Sequence, residues 1–175
     1  MSVNYNKIPA LINKILKNKK GISVVEILIV VVIISVGLVA LLNATTSSLK
    51  FSRLMKENDQ AKELAQEALE AVRSFRDGTD WEIDGLGFLP LGTYHPEQTT
   101  DSPPKWALFT NEGTVTLGAA IFKRKVVFEN VYRDFNDNIA SSGTEDLNTK
   151  KITATVSWDN GNKKVEISTY LTNWR

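Results

Sequence analysis

The feature that most constrains this chain is an unbroken apolar segment near its N-terminus. Residues 22–42 read ISVVEILIVVVIISVGLVALL, which is 21 residues with one charged side chain and no proline. A helix rises about 1.5 Å per residue, so this segment would span roughly 30 Å, the thickness of the hydrocarbon core of a bilayer. The segment is apolar on every side, and a chain of 175 residues is too small to enclose it in a soluble core. We therefore predict a transmembrane helix.

Basic residues lie on only one side of this segment. Residues 1–21 carry five lysines and no acidic residue, and the first lysine after the segment is Lys50. Because positive charge marks the cytoplasmic side, we predict a single-pass cell membrane protein with a cytoplasmic N-terminus and an extracytoplasmic C-terminal domain. The apolar run is longer than that of a secretory signal and no small-residue cleavage site follows it, so any cleavage must precede it.

A second helical pattern follows the membrane segment. Residues 43–77 contain no proline, and their apolar residues recur at steps of three, four or seven, as expected for one face of a helix. These residues are Leu54, Ala61, Leu64, Ala65, Ala68, Leu69, Val72 and Phe75. Arg76 and Gly78 suit the last turn and the position after it. We predict one helix from about residue 22 to 76, roughly 80 Å long, with a transmembrane half (22–42) and an amphipathic half (43–77). Coiled-coil pairing is the alternative for the second half, but its stripe covers only about three heptads.

Residues 78–175 have the sequence pattern of a β domain. Short β-prone runs alternate with Gly, Pro, Asn and Asp clusters, and we predict strands near 88–94, 106–109, 114–117 and 121–132. The clearest hairpin joins 151–158 to 164–171 through Asp159-Asn160-Gly161-Asn162, because Asn-Gly is a strong signal for a tight turn. We expect its apolar face to lie on the amphipathic helix. The predicted fold class is α+β, with the long N-terminal helix packed on a C-terminal antiparallel β-sheet; residues 79–120 give no functional signal.

Composition excludes several classes of function. The chain has no cysteine, which rules out disulfides and thiolate sites, and its one histidine, His95, lies in a Gly/Pro-rich stretch that we interpret as a surface loop. No convergent acid, base and nucleophile can be identified, so we predict that the protein is not an enzyme. Residues 78–175 carry ten basic and thirteen acidic side chains. This balance argues against nucleic-acid binding by the isolated domain, with a local patch at 123–125 as the only candidate.

One constellation has the spacing of a calcium loop. Its candidate ligands are Asp134, Asn136, Asn138 and Glu145, at the first, third, fifth and twelfth positions. The glycine that such a loop needs for its sharp turn is replaced by Ile139. We therefore interpret the segment as a solvated loop and predict no metal or other cofactor, with calcium as the alternative.

The residues before the apolar segment carry a resemblance to a known family. The sequence reads KNKKGISVVEILIVVV, in which Lys19-Lys20-Gly21 precedes an apolar residue and Glu26 is the fifth residue after the glycine. This pattern resembles the class III signal of type IV prepilins and of the pseudopilins of type II secretion. The resemblance implies that residues 1–21 are a leader peptide, recognised through Lys19 and Lys20 and removed between Gly21 and Ile22 by prepilin peptidase. It also implies N-methylation of Ile22 and the lollipop shape of a pilin.

The sequence supports two interpretations of the role of Glu26. An ionised carboxylate inside a membrane helix costs on the order of 3 kcal/mol, so Glu26 should face a partner, and a free α-amine is a natural one. The resemblance implies that Glu26 neutralises the N-terminal amine of a neighbouring subunit and sets the axial register of assembly. The alternative is a capping box, because Ser23-Val-Val-Glu26 also fits that pattern at a helix start.

The C-terminus adds a second, weaker likeness. Its ending VSWDNGNKKVEISTYLTNW is similar to the last hairpin of minor pilins and pseudopilins, and two departures from major pilins favour the minor class. Ile22 replaces the commonest phenylalanine, and Asn43 stands where a helix-kinking proline is frequent. The resemblance implies a structural subunit of a type IV pilus or type II secretion-like filament. Its partners would be other pilin subunits, prepilin peptidase, the membrane, and an assembly platform with its ATPase. The alternative is a permanently membrane-anchored surface protein with a ligand-binding β domain.

Overall fold

A computed structural model of the chain describes residue 21 and residues 23–174. The chain divides into two compact units, residues 1–51 and 52–175. Helix α1 spans Val24–Gly78 without interruption, as its lack of proline allows. It ends two residues beyond the predicted terminus at Arg76.

In the first unit, α1 is an exposed apolar helix. Every side chain from Val24 to Phe51 is exposed, and this is the one described helix that is long and apolar enough to cross a membrane. Three of its hydroxyl groups donate within the helix: Ser35 Oγ donates to the Val31 carbonyl at 2.7 Å, and Thr45 and Thr46 donate to carbonyls three residues earlier. Polar groups bonded inside their own helix are tolerated in a hydrocarbon environment. The finding is compatible with a single-pass membrane protein.

In the second unit, residues 52–78 of α1 pack on an antiparallel sheet of seven strands. The strands are β1 (Thr93–Gln98), β2 (Trp106–Thr110), β3 (Gly113–Leu117), β4 (Ala120–Arg133), β5 (Ile139–Ala140), β6 (Thr144–Trp158) and β7 (Lys163–Thr172). The main order is β2-β1-β4-β6-β7, and β3 and β5 each pair with β4. Every pairing is antiparallel. The α+β class predicted from sequence is confirmed.

The core lies between this part of α1 and the long strands β4 and β6. Alternate strand residues face the helix, as the period of two in a strand requires, and five of them are fully buried: Phe122, Val126, Ile152, Ala154 and Val156. The buried helix residues are Ala61, Leu64, Ala65, Ala68, Leu69, Ala71 and Val72. Four of these seven are alanines, so the buried face of α1 consists largely of small side chains. The predicted packing of the hairpin face on the helix is confirmed.

Several local predictions were wrong. The predicted strand near 88–94 is shifted: β1 runs from Thr93 to Gln98, through a proline and across the predicted loop, so His95 lies on a strand. Leu54 was placed on the buried stripe but is 46% exposed, and burial on α1 begins at Ala61. Strand β6 starts at Thr144, seven residues earlier than predicted, because β4 is long enough to pair with it.

One buried cation joins three elements of the domain. The Arg124 side chain is only 8% exposed, and its guanidinium donates to Glu67 Oε1 and to the Pro96 carbonyl, each at 2.9 Å. These bonds link β4 to α1 and to β1, and they satisfy a charge that would otherwise be costly to bury. The predicted basic patch at 123–125 is therefore not one surface, because Arg124 faces the core while Lys123 is exposed.

Candidate functional site

The proposed processing site lies just before α1. Gly21 is exposed, and no heavy atom outside its neighbours lies within 4 Å of the position that a side chain would take. Ser23 follows, and α1 begins at Val24. Lys19, Lys20 and Ile22 lie outside the described residues, so leader recognition and methylation at these positions stay predictions. The described part of the motif is an accessible segment directly before a helix.

Glu26 occupies the first turn of α1, where it is exposed. Its backbone N–H donates to the Ser23 carbonyl at 3.0 Å, and the N–H of Ile27 donates to the same oxygen at 3.2 Å. Within residues 21 and 23–174, no hydrogen bond or ion pair involves the Glu26 carboxylate. The helix start is therefore closed by backbone bonds, without the reciprocal side-chain bonds of a capping box.

A cleft forms at the end of the domain where β4 begins and β6 ends. We name it the strand-end cleft, and it has a volume of about 420 Å³. Its lining consists of α1 residues Arg53 and Glu57, residues 119–121 and 157–161, Lys123 and Lys163. One wall is the β6–β7 turn, in which Asp159, Asn160 and Gly161 all have positive φ. The left-handed region favours Asn, Asp and Gly, so the tight turn predicted from Asn-Gly is confirmed.

Glu57 fastens α1 to this turn. Its carboxylate accepts hydrogen bonds from Trp158 Nε1 and Lys163 Nζ, both at 3.3 Å, and from Arg53 Nε at 3.2 Å. Burial raises the pKa of Glu57, but the bonds and charge of Lys163, with the bonds from Trp158 and Arg53, outweigh burial and hold the pKa below its usual value. In the sequence, this role is indicated by the position of Glu57, one helical turn before the buried stripe that begins at Ala61.

The Glu57 contacts predict a pH-dependent contribution to stability. Because the folded-state pKa of Glu57 is lowered, its contribution is present above its unfolded pKa and is lost as the pH falls through the folded value. We expect Glu57→Gln to lower the stability of the domain by about 1 kcal/mol at pH 7 and to flatten the loss of stability on acidification. Thermal melts of the detergent-solubilised chain at pH 7, 5 and 3 measure both effects. Glu63→Gln, an exposed substitution on the same helix, is the control. If the unmodified chain, Glu57→Gln and Glu63→Gln all lost the same stability on acidification, the prediction would be contradicted.

Three of the four candidate calcium ligands lie in one hydrogen-bonded turn. Asp134 Oδ1 accepts the backbone N–H of Asn136 at 2.8 Å and that of Asn138 at 2.9 Å. These bonds, that of Asn138 above all, hold the pKa of Asp134 below its usual value. Glu145 lies on β6 opposite Tyr132. In the described part of the chain, no three His, Asp or Glu side chains are grouped so as to hold a metal ion.

Both ring nitrogens of His95 contact oxygen atoms of its neighbours. Its Nδ1 lies 3.2 Å from the Asn111 carbonyl and its Nε2 lies 3.2 Å from Glu97 Oε1. Gly113 packs against the ring, and a side chain at that position would collide with it. The contacts bind β1 to the β2–β3 turn, which is a structural role.

Compared with known proteins, the chain matches no family model, no curated protein and no solved structure.

Proposed function

We propose that the chain is a structural subunit, a minor pilin or pseudopilin, of a type IV pilus or type II secretion-like filament. The observation that carries the proposal is a coincidence of four features at one place. A lysine pair and Gly21 precede an apolar residue, Glu26 follows at the fifth position, and an exposed apolar helix begins at Val24. Each feature is common by itself, but their fixed spacing is not.

The exposed part of α1 needs an apolar environment before and after assembly. Its side chains from Val24 to Leu42 are apolar with few exceptions and exposed in the single chain. A bilayer covers them at first, and the helices of neighbouring subunits would cover them in a filament. Extraction by an assembly platform and its ATPase would exchange the first environment for the second.

Glu26 would set the axial register between the helices of neighbouring subunits. Cleavage after Gly21 creates a positive α-amine at Ile22, and that amine would meet the Glu26 carboxylate of a neighbouring subunit. In an apolar surrounding the two opposite charges would compensate each other, so the helices would be held at the one offset that brings both groups together. Processing by prepilin peptidase would therefore come before assembly.

The minor class is favoured by the course of the helix. At Asn43, where many major pilins have a kinking proline, α1 continues unbroken. The proposed location is the cell membrane, with the N-terminus in the cytoplasm, and then the filament. The domain of residues 52–175 would be displayed outside the membrane as a binding or structural element without catalytic activity.

Peptidase-dependent cleavage tests the proposal. When the chain is expressed in cells with and without a prepilin peptidase, we expect loss of the 21-residue leader only where the peptidase is present. Gly21→Leu should block the cleavage, because a larger residue obstructs the cut peptide bond, and Gly37→Leu is the matched control within the same helix. A chain that keeps its leader in the presence of an active peptidase would favour a permanently anchored surface protein instead.

A further inference from the structure

Two strands share one edge of β4. Among the described residues, β1 pairs with β4 at Thr93 and Tyr94 alone, and β3 occupies the same edge from Gly113 to Leu117. Because so few backbone pairs join the hairpin of β1 and β2 to the rest of the sheet, we expect this hairpin to open locally at a lower cost than the long strands β4 and β6. The side chains at the junction therefore contribute to how firmly the hairpin is held.

His95 follows the last of these pairs and bridges β1 to the turn that leads into β3. Its side chain is 15% exposed. A Cβ placed on Gly113, the first residue of β3, would lie 2.6 Å from His95 Cδ2, and the centroid of the Phe109 ring on β2 lies 5.9 Å from that of the imidazole. Contacts with the backbone of β3 and with a ring of β2 thus limit the movement of the imidazole.

Both ring nitrogens of His95 face groups that accept hydrogen bonds. Nδ1 lies 3.2 Å from the Asn111 carbonyl oxygen, and Nε2 lies 3.2 Å from Glu97 Oε1. The Asn111 carbonyl is held in position, because Asn111 has a φ of 79° and its own N–H donates to the Thr93 carbonyl at 3.0 Å. A neutral imidazole carries one N–H and an imidazolium carries two, whereas a carbonyl and an ionised carboxylate have none to offer. The neutral ring therefore donates only one of the two bonds, and the protonated ring donates both.

The charges around the imidazole act in both directions. On β1 itself, Glu97 is the one charged side chain that lies within ion-pair distance of the ring in the described part of the chain, and it favours protonation. In the β2–β3 turn, Glu112 pairs with Lys123 of β4 at 3.4 Å, so these two charges largely compensate each other. Lys125 of β4 lies one residue beyond the segment that pairs with β1, and its charge opposes protonation, as does burial of the ring.

The remaining elements beside the ring add little charge. Strands β2 and β3 contain no titratable side chain. Arg124 of β4 faces the core, where its charge is paired with Glu67 at 2.9 Å. The charge that touches the imidazole is thus an anion, and protonation turns this contact into an ion pair as well as a hydrogen bond.

We propose that His95 is a proton-dependent clasp, which fastens the hairpin of β1 and β2 to the β2–β3 turn when its ring is protonated. The Arg124 guanidinium, which donates to the Pro96 carbonyl at 2.9 Å, is a permanent tie at the same junction, so the hairpin stays attached when the ring is neutral. The closed hairpin holds the proton through two acceptors and the open hairpin does not, so closing is favoured as the pH falls through the range of about 8 to 5 in which histidine ordinarily titrates. This inference goes beyond the proposed filament function and needs only the described β domain.

Hydrogen exchange of the detergent-solubilised full chain tests the clasp. After correction for the intrinsic exchange rate, the equilibrium constant for local opening of the β1–β2 hairpin should fall about fivefold from pH 8 to pH 5.5, which is the typical effect of one added hydrogen bond. The hairpin of β6 and β7 is the internal control and should keep the same constant. The direction is opposite to that of the Glu57 contribution, which is lost on further acidification.

Glu97→Gln removes the charge while it keeps an oxygen that accepts, and its amide N–H can donate to a neutral ring. The opening constant of the β1–β2 hairpin in this variant should therefore be about the same at both pH values. Glu166→Gln is the matched control, because it removes a carboxylate that pairs with Lys164 elsewhere on the same sheet, and it should keep the fivefold change.

Nuclear magnetic resonance of ¹⁵N-labelled histidine provides a second measurement, since His95 is the one histidine of the chain. Two hydrogen-bonded ring N–H groups at pH 5.5 and one at pH 8 are expected in the unmodified chain. An opening constant that does not change with pH, a change of the same size in Glu97→Gln, or a ring with a single N–H at pH 5.5 would overturn the clasp. None of these readouts depends on cleavage at Gly21, so failure of the clasp and failure of the proposed function are distinguishable.

Discussion

Replacing Glu26 with glutamine is expected to leave cleavage at Gly21 unchanged and to reduce incorporation into the filament about 100-fold. An unpaired charge in an apolar surrounding costs on the order of 3 kcal/mol. Each 1.4 kcal/mol changes an equilibrium constant by about a factor of ten, so this cost corresponds to about a 100-fold loss of incorporation. Under the proposed function, the uncompensated charge in the variant would be the amine that cleavage leaves on Ile22. Processing should be spared because the peptidase would act before the amine and the carboxylate can meet.

The measurement compares processed chain in membranes with chain in sheared filaments. Glu63→Gln removes a carboxylate of the same kind from the exposed face of the second half of α1 and should incorporate like the unmodified chain. Glu26→Asp keeps the charge on a shorter side chain and should incorporate to an intermediate extent. If Glu26→Gln entered filaments as well as Glu63→Gln, the role of Glu26 in assembly would have to be abandoned.

Replacing Phe122 with alanine is expected to destabilise the β domain by about 3–5 kcal/mol. Phe122 is completely buried on β4, and its ring centroid lies 5.8 Å from that of Trp158. Truncation loses the apolar burial of the ring and leaves a cavity beside α1, while a domain of ordinary stability has only about 5–15 kcal/mol in total. The loss would remove a large part of that margin.

Phe135→Ala is the matched control, because it makes the same chemical change at a side chain that is 96% exposed. Its effect on stability should stay within about 0.5 kcal/mol. Denaturant titration of the detergent-solubilised full chain, followed by tryptophan fluorescence, compares the two. Equal midpoints for both variants would show that the core between α1 and the sheet is assigned wrongly.

The parts of the fold that were predictable from the sequence are those with a strong local period or turn signal. The stripe from Ala61 to Val72 repeats with the helical period, and Asn160-Gly161 between two alternating runs requires a tight hairpin. Strand β1 was misplaced because His95 and Pro96 read locally as a loop; only the pairing with β2 and β4 makes that segment a strand. Tertiary pairing overrides local propensity in such cases.

The residues of the candidate site also differ in how well the sequence predicts them. Gly21 and Glu26 are recognisable because their spacing lies within one short segment. The strand-end cleft joins residues more than 100 positions apart, such as Glu57 and Lys163, and no local pattern reports such a contact.

The most direct measurement of the proposed function is the intact mass of the chain recovered from sheared filaments. We predict a mass that corresponds to residues 22–175 with one added methyl group on the amine of Ile22. A chain of the full 175 residues that remains in the membrane, with its leader attached, would contradict the proposal.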